Sequence, residues 1–151
     1  MEQRAESTDV ESVVVEFNQA INGRDLRRLS ELMTENHRLI TGTEDPVIGK
    51  HACTRAWGQF FELCPDYQNV FEEVRSEGSV VRICGRSICT DECLKGRAIW
   101  AAVVEGTRVR EWRVDEDTPE GRRRLGFGPP GAWVVRGADL SVDTTEETIN
   151  P

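Results

Sequence analysis

The sequence predicts an α+β fold, with three N-terminal helices packed on an antiparallel sheet that makes a cone if it curves around the third helix. Three observations predict it. Apolar residues recur at helical spacing through residues 10–33 and 52–64, four alternating β-type segments follow between Tyr67 and Glu116, and short turn signals separate those segments. Helices gathered on one side of an antiparallel sheet define the α+β class.

The first helix rests on Val10, Val13, Val14, Phe17 and Ile21, with a capping-box pattern from Thr8 to Glu11 and a stop at Asn22-Gly23. Asp25 caps a second, shorter helix that turns Leu26, Leu29, Leu32 and Met33 inward. Asn36 to Thr41 reads as a short strand with His37, Leu39 and Thr41 on one face, and Gly42 to Pro46 as turn. A third helix runs from Gly49 to Cys64 along an apolar stripe of Ala52, Cys53, Ala56, Trp57, Phe60, Phe61 and Cys64, until Pro65 stops it. The strands are then Tyr67–Ser76, Ser79–Cys89, Arg97–Glu105 and Thr107–Glu116. From Pro119 the pattern changes. Gly126-Phe127-Gly128-Pro129-Pro130-Gly131 breaks regular structure, Trp133-Val134-Val135 can add an edge strand or dock on a partner, and the acidic end reads as a mobile tail. Residues 1–125 are thus expected as the domain and 126–151 as the tail.

The last two strands form a hairpin around Glu105-Gly106-Thr107. Alternation puts Ala98, Trp100, Ala102 and Val104 on one face of its first arm, and Arg110, Trp112, Val114 and Glu116 on one face of its second. In the neighbouring segment either Val81, Ile83 and Gly85 or Arg82, Cys84 and Arg86 face inward, because a slip of one residue exchanges them. Outer apolar residues, Val81 and Ile83 or their alternates, would need a cover, which points to a homodimer.

Composition limits the partners. A net charge of −8 with one short basic run, Arg122-Arg123-Arg124, argues against nucleic-acid or anionic-membrane binding. No run reaches the length of a membrane span, and the polar first nine residues carry no secretory signal. Five cysteines with no export signal read as reduced thiols, so a cytoplasmic location is expected. Cys84, Cys89 and Cys93 lack the second half of a metal site, so no metal is expected; Cys89 and Cys93 could oxidise to each other in vitro.

Several segments in this order carry a resemblance. Phe17-Asn18-Gln19-Ala20-Ile21-Asn22-Gly23-Arg24-Asp25-Leu26, Ile48-Gly49-Lys50 and the hairpin stretch Val104 to Arg113 resemble the nuclear transport factor 2-like superfamily, particularly its SnoaL-like and ketosteroid-isomerase-like branch. The resemblance covers about residues 8–125. It implies a cone with a mostly apolar cavity, commonly dimeric through the outer sheet, in a family holding isomerases, cyclases, dehydratases and epoxide hydrolases beside binding and scaffolding domains. It also implies that no cofactor is needed.

The isomerase-like members place a tyrosine, a carboxylate base and a second aspartate in the cavity. By resemblance these roles fall at Phe17, near Thr41 and at Trp100, none of which can perform them. Asp45 lies in the following turn, at the cavity rim if the loop shifts and in solvent if it does not. Limonene-epoxide-hydrolase-like members would want a carboxylate at Val114; Asp115 has the wrong parity, and Glu116 has the right parity but lies near the mouth. His37 and Glu116 are therefore the candidate catalytic pair, against the plainer reading of His37 as a strand-edge histidine bonded to backbone or solvent. Trp57, Trp100 and Trp112 are candidate walls of the ligand site as well as candidate core, joined by Phe17, Thr41 and Arg110. The expected function is binding of a small hydrophobic molecule, with cofactor-free isomerase, cyclase or dehydratase chemistry on a cyclic substrate as its catalytic form. The alternative is a non-catalytic dimerisation or partner-binding domain.

Overall fold

The computed structural model describes residues 2–90 and 95–127, with side chains from residue 10 onward. Four helices and six strands alternate as α1 (Glu2–Asn22), α2 (Leu26–Glu31), β1 (Met33–Thr41), β2 (Val47–Ile48), α3 (Lys50–Leu63), β3 (Gln68–Glu77), β4 (Val80–Ile88), β5 (Gly96–Glu105), β6 (Arg108–Glu116) and α4 (Pro119–Leu125). The strands form one sheet in the order β2-β1-β6-β5-β4-β3. The α+β class and the three-helix layer are as expected. The sheet itself is mixed, because β1 runs parallel to β6 while the other neighbours are antiparallel.

Local chemistry explains the boundaries. Helix α1 continues past the expected cap at Thr8 to Glu2, so Thr8 lies inside a helix. Asp25 caps α2 as predicted, its carboxylate accepting from the Arg28 amide at 3.1 Å. Gly49 opens α3 at φ 103°, where a side chain would be strained, and Cys64 closes it before Pro65.

Curvature enters at two irregularities. Glu72 is an extra residue of β3 opposite β4, and the strand bends around Gly85. A β-carbon on Gly85 would sit 2.0 Å from the Val70 carbonyl oxygen, so only glycine permits the approach. The other lies in the β5–β6 hairpin, where Val103 pairs with Glu111 and Val104 with Val109, leaving Arg110 as the extra residue.

The sheet is buried on both faces. The concave face, under α1 and α3, carries Val81, Ile83, Ala98, Trp100, Ala102, Val104, Val109 and Trp112 in one cluster with Phe17, Met33, Cys53 and Trp57. This settles the alternate registers of β4 in favour of Val81 and Ile83 inside. The convex face of β5 (Ile99, Ala101 and Val103) packs against Leu125 and Phe127. Arg82, on the alternate face of β4, is buried on that convex side at 2 % exposure, its Nε donating to the Leu125 carbonyl at 3.0 Å.

Helix α4 was not foreseen. Thr118 accepts from the Gly121 amide at 3.0 Å, Pro119 stands at the first turn, and Gly126 closes the helix in the left-handed region at φ 81°. Its arginines anchor it: Arg124 grips Asp115 through two bonds of 2.7 and 3.0 Å, and Arg122 bonds Asp117 at 2.6 Å. Phe127, grouped by sequence with the tail, is 2 % exposed. Trp133 and the acidic end lie outside the described residues, as does Cys93, the other half of the in-vitro oxidation considered for Cys89. Cys89 is buried, and its thiol reaches the Asp66 carboxylate at 3.5 Å.

Candidate functional site: an aromatic interior with one unanswered imidazole

Period-two alternation on β5 and β6 brings Trp100 and Trp112 to the concave face, where 3.6-residue periodicity on α1 and α3 presents Phe17 and Trp57. Phe17 lies 4.5 Å from Trp112 between ring centroids, and Phe71 of β3 lies 5.1 Å from Trp100 and stacks at 6.5 Å on Trp112. Offset and tilted rings at these separations are favourable packing and form flat apolar walls. Trp57, on α3, packs against Phe60 and Phe61 at 5.8 and 5.7 Å. Trp57 and Trp100 thus share one buried cluster. Phe71 was not singled out by sequence reading, although its place in an alternating strand opposite Gly85 was a usable signal.

One margin of this wall is less deeply buried. Leu39 pairs with Trp112 across β1 and β6, and Thr41 pairs with Val114. Leu39, Phe71 and Val114 are half-buried while packed on the cluster, and Thr41 is exposed beside them. These half-buried apolar side chains form the outer margin of the wall, whose Trp112 is itself 1 % exposed.

His37 is fully buried on the other side of Leu39. Its Nδ1 lies 2.7 Å from the Val109 carbonyl oxygen, and its ring centroid lies 5.6 Å from that of Phe17. Val109 is held a second time just before β1, since its amide donates to the carbonyl of Leu32, the C-cap of α2, at 2.7 Å. Between these two contacts the β1–β6 register jumps from Met33–Val109 to Arg38–Glu111, and the imidazole supplies the hydrogen bond that the ladder omits. Burial pushes the His37 pKa down to about 4, against the smaller opposing effects of the Val109 bond and the Glu111 charge. The ring is neutral at physiological pH, so Nδ1 carries the proton donated to Val109 and Nε2 presents a lone pair. Among the described residues that Nε2 has no hydrogen-bond partner, and neither has the buried Trp57 Nε1.

The expected catalytic pair is not assembled. Glu116 is exposed and pairs with Ala98, seven residues along β6 from Val109, which is about 20 Å of strand. The parallel pairing places His37 at the opposite end of β6. Arg110 does not follow the parity of Trp112, because the bulge that makes it an extra residue resets the alternation; it is half-buried. Among the described residues the two buried carboxylates, Glu111 and Asp115, pair with Val103 and Ile99 on the convex side. Glu111 bonds Arg113 at 2.7 Å there. The concave interior thus holds a neutral imidazole, and the buried carboxylates among the described residues belong to the convex side.

Polar groups at the far end of the interior are spent on each other. Asn69 links Asn18 at 3.1 Å and Ser87 at 3.2 Å, Ser87 meets the Tyr67 hydroxyl at 3.1 Å, and Asn22 bonds the Asn69 backbone at 2.9 and 3.0 Å. This satisfied network ties α1 to β3 and β4. Cys53 is buried, its thiol 3.3 Å from the Val47 carbonyl, and desolvation raises its pKa to about 11. No group of three metal-ligating side chains occurs among the described residues, and no helix among them is long and apolar enough to cross a membrane.

The sequence profile of the SnoaL-like domain family matches residues 14–139. No curated protein matches the chain by sequence. Among solved structures, a proposed SnoaL-like polyketide cyclase from Jannaschia sp. CCS1 is 19% identical with a TM-score of 0.66, over 82% of this chain and 95% of its own. A proposed polyketide cyclase from Sinorhizobium meliloti is 15% identical with a TM-score of 0.64, over 72% and 97%. An epoxide hydrolase of the limonene-epoxide-hydrolase-like type from M. tuberculosis is 13% identical with a TM-score of 0.65, over 80% and 91%. At these identities the likeness is one of fold, the cone shared by NTF2-like proteins.

Proposed function

Because this chain belongs to the SnoaL-like domain family, we propose that its concave interior binds a small, flat, hydrophobic molecule. The observation that carries the reading is the aromatic wall of Phe17, Phe71, Trp100 and Trp112 with its half-buried apolar margin at Leu39 and Val114. Similar folds named for polyketide cyclisation and epoxide hydrolysis support a cyclic ligand. Carboxylate-driven proton transfer of the ketosteroid or epoxide kind is disfavoured, since the buried carboxylates serve the convex face. Binding is therefore the primary activity, and cofactor-free isomerisation, cyclisation or dehydration would have to work through hydrogen bonds to the neutral His37.

The competing reading is a partner-binding or dimerisation domain. The β5 part of the convex face is already covered by α4 and Phe127, which weakens the case for a homodimer through that patch. Titrating the protein with naphthalene and following tryptophan fluorescence tests the proposal. Saturable quenching at one equivalent supports it, with native mass spectrometry reporting whether the loaded species is a monomer or a dimer. Unchanged fluorescence across a panel of cyclic apolar compounds would overturn it in favour of the partner-binding reading.

A further inference from the structure

While the polar groups at the far end of the interior satisfy one another, two buried atoms of its aromatic part, His37 Nε2 and Trp57 Nε1, have no hydrogen-bond partner among the described residues. Native interiors leave few such atoms unpaired, and those that remain call for an explanation such as a ligand or a water. The His37 ring is held in one orientation by its 2.7 Å bond to Val109 and by Phe17 beside it, so the position of the free lone pair is set before anything binds.

We infer that His37 Nε2 is a specificity-determining acceptor in this interior, selecting a neutral ligand with a hydrogen-bond donor, such as a phenol, enol or alcohol, over the same molecule without the donor. The inference rests on the binding reading above and adds the chemical class of the ligand. Its logic is complementarity. With Nδ1–H committed to Val109, Nε2 can accept and cannot donate, so an ether or a ketone gains nothing there. A carboxylate gains nothing either, because it only accepts and because Glu111, the charge felt at the ring, is negative. The depressed pKa keeps the ring an acceptor throughout the physiological range. Trp57 Nε1 is a donor, so it tolerates an oxygen elsewhere on the molecule without selecting against a hydroxyl. A desolvated acceptor that meets an apolar analogue stays unpaired, which penalises the analogue.

The test compares 2-naphthol with 2-methoxynaphthalene on the full chain, using tryptophan fluorescence for affinity and the nitrogen-15 resonance of His37 Nε2 for the contact. The expected result is binding of the naphthol about tenfold tighter than the ether, with the Nε2 resonance moved by the naphthol alone. His37→Asn keeps a donor where Nδ1 stood and removes the Nε2 acceptor; in that variant the two compounds should bind alike. Equal affinities in the wild type with an unmoved Nε2 resonance would overturn the inference and leave the apolar site standing. Failure of both compounds to change the fluorescence would overturn the binding reading, and the inference with it.

Discussion

Gly85 on β4 meets Val70 on β3 so closely that a β-carbon would come within 2.0 Å of the Val70 carbonyl oxygen. The contact is backbone against backbone, so no side chain can yield. It lies where the sheet bends at Glu72 and brings Phe71 over Trp100 and Trp112. Gly85→Ala should therefore destabilise the fold by about 2–3 kcal/mol through overpacking. Urea denaturation checks it: an unchanged midpoint would mean the bulge relaxes at no cost.

The pH dependence of stability should carry a signature of His37. Its pKa is about 4 when folded and about 6.5 as an ordinary histidine. The unfolded chain therefore binds more protons between those values, and stability falls as pH drops from about 6.5 towards 4. The shift corresponds to about 3 kcal/mol, fully present above pH 6.5 and gone below pH 4. Carboxylates titrate in the lower part of that window, so the comparison that isolates the imidazole is wild type against His37→Asn. The variant should show a flatter profile between pH 6.5 and 5; parallel profiles would count against a buried neutral ring.

Asp115 holds α4 to the end of β6 through both oxygens, to Arg124 Nε and to a second guanidinium nitrogen. Its side chain is nearly inaccessible while that of Arg124 is partly exposed. Asp115→Ala should cost about 2 kcal/mol, below the range for a fully buried pair because the freed arginine can reach water. Hydrogen exchange should then speed up in β5, whose Ile99, Ala101 and Val103 lie beneath Leu125 and Phe127. Unchanged exchange there would show that apolar packing alone keeps the helix in place.

Cys53 should resist alkylation. With a thiol pKa raised to about 11 and no exposed surface, it has both too little thiolate and no access for reagent. Iodoacetamide at pH 8 followed by peptide mass spectrometry should leave Cys53 unmodified in the native protein and modify it in guanidinium. Native labelling at the rate of a free thiol would contradict the burial.

The inward faces of the helices and of β5 were legible because a single period decides them: Phe17, Trp57, Trp100 and Trp112 fall where alternation or helical spacing puts them. Strand β4 was ambiguous because an arginine competed with aliphatics for each face. The ambiguity ends only when Leu125 offers its carbonyl to Arg82, a contact 43 residues away. Arg110 was misplaced because a bulge breaks parity without a proline or an internal glycine to announce it. The pairing of His37 with Glu116 failed for another reason. Side-chain period carries no information on strand direction, and the parallel β1–β6 pairing separated residues that an all-antiparallel sheet left free to meet. Helix α4 was readable in hindsight from Thr118, Pro119 and Gly126, but its seven residues include a glycine and three adjacent arginines, which mask its short apolar contribution.

The parallel ladder also sets an order of events during synthesis. His37 and the carbonyl it bonds are 72 residues apart, and β3 to β6, which carry Phe71, Trp100 and Trp112, follow α1 and α3 in the chain. Phe17, Met33 and Trp57 emerge from the ribosome before Trp100 and Trp112 exist, whereas β3 to β6 form a continuous meander of neighbouring hairpins. The meander can assemble from local contacts, and β1 can join β6 only after that strand is made. The imidazole therefore cannot reach its carbonyl until β6 has been made, so the contact that seats β1 waits for the last strand of the sheet.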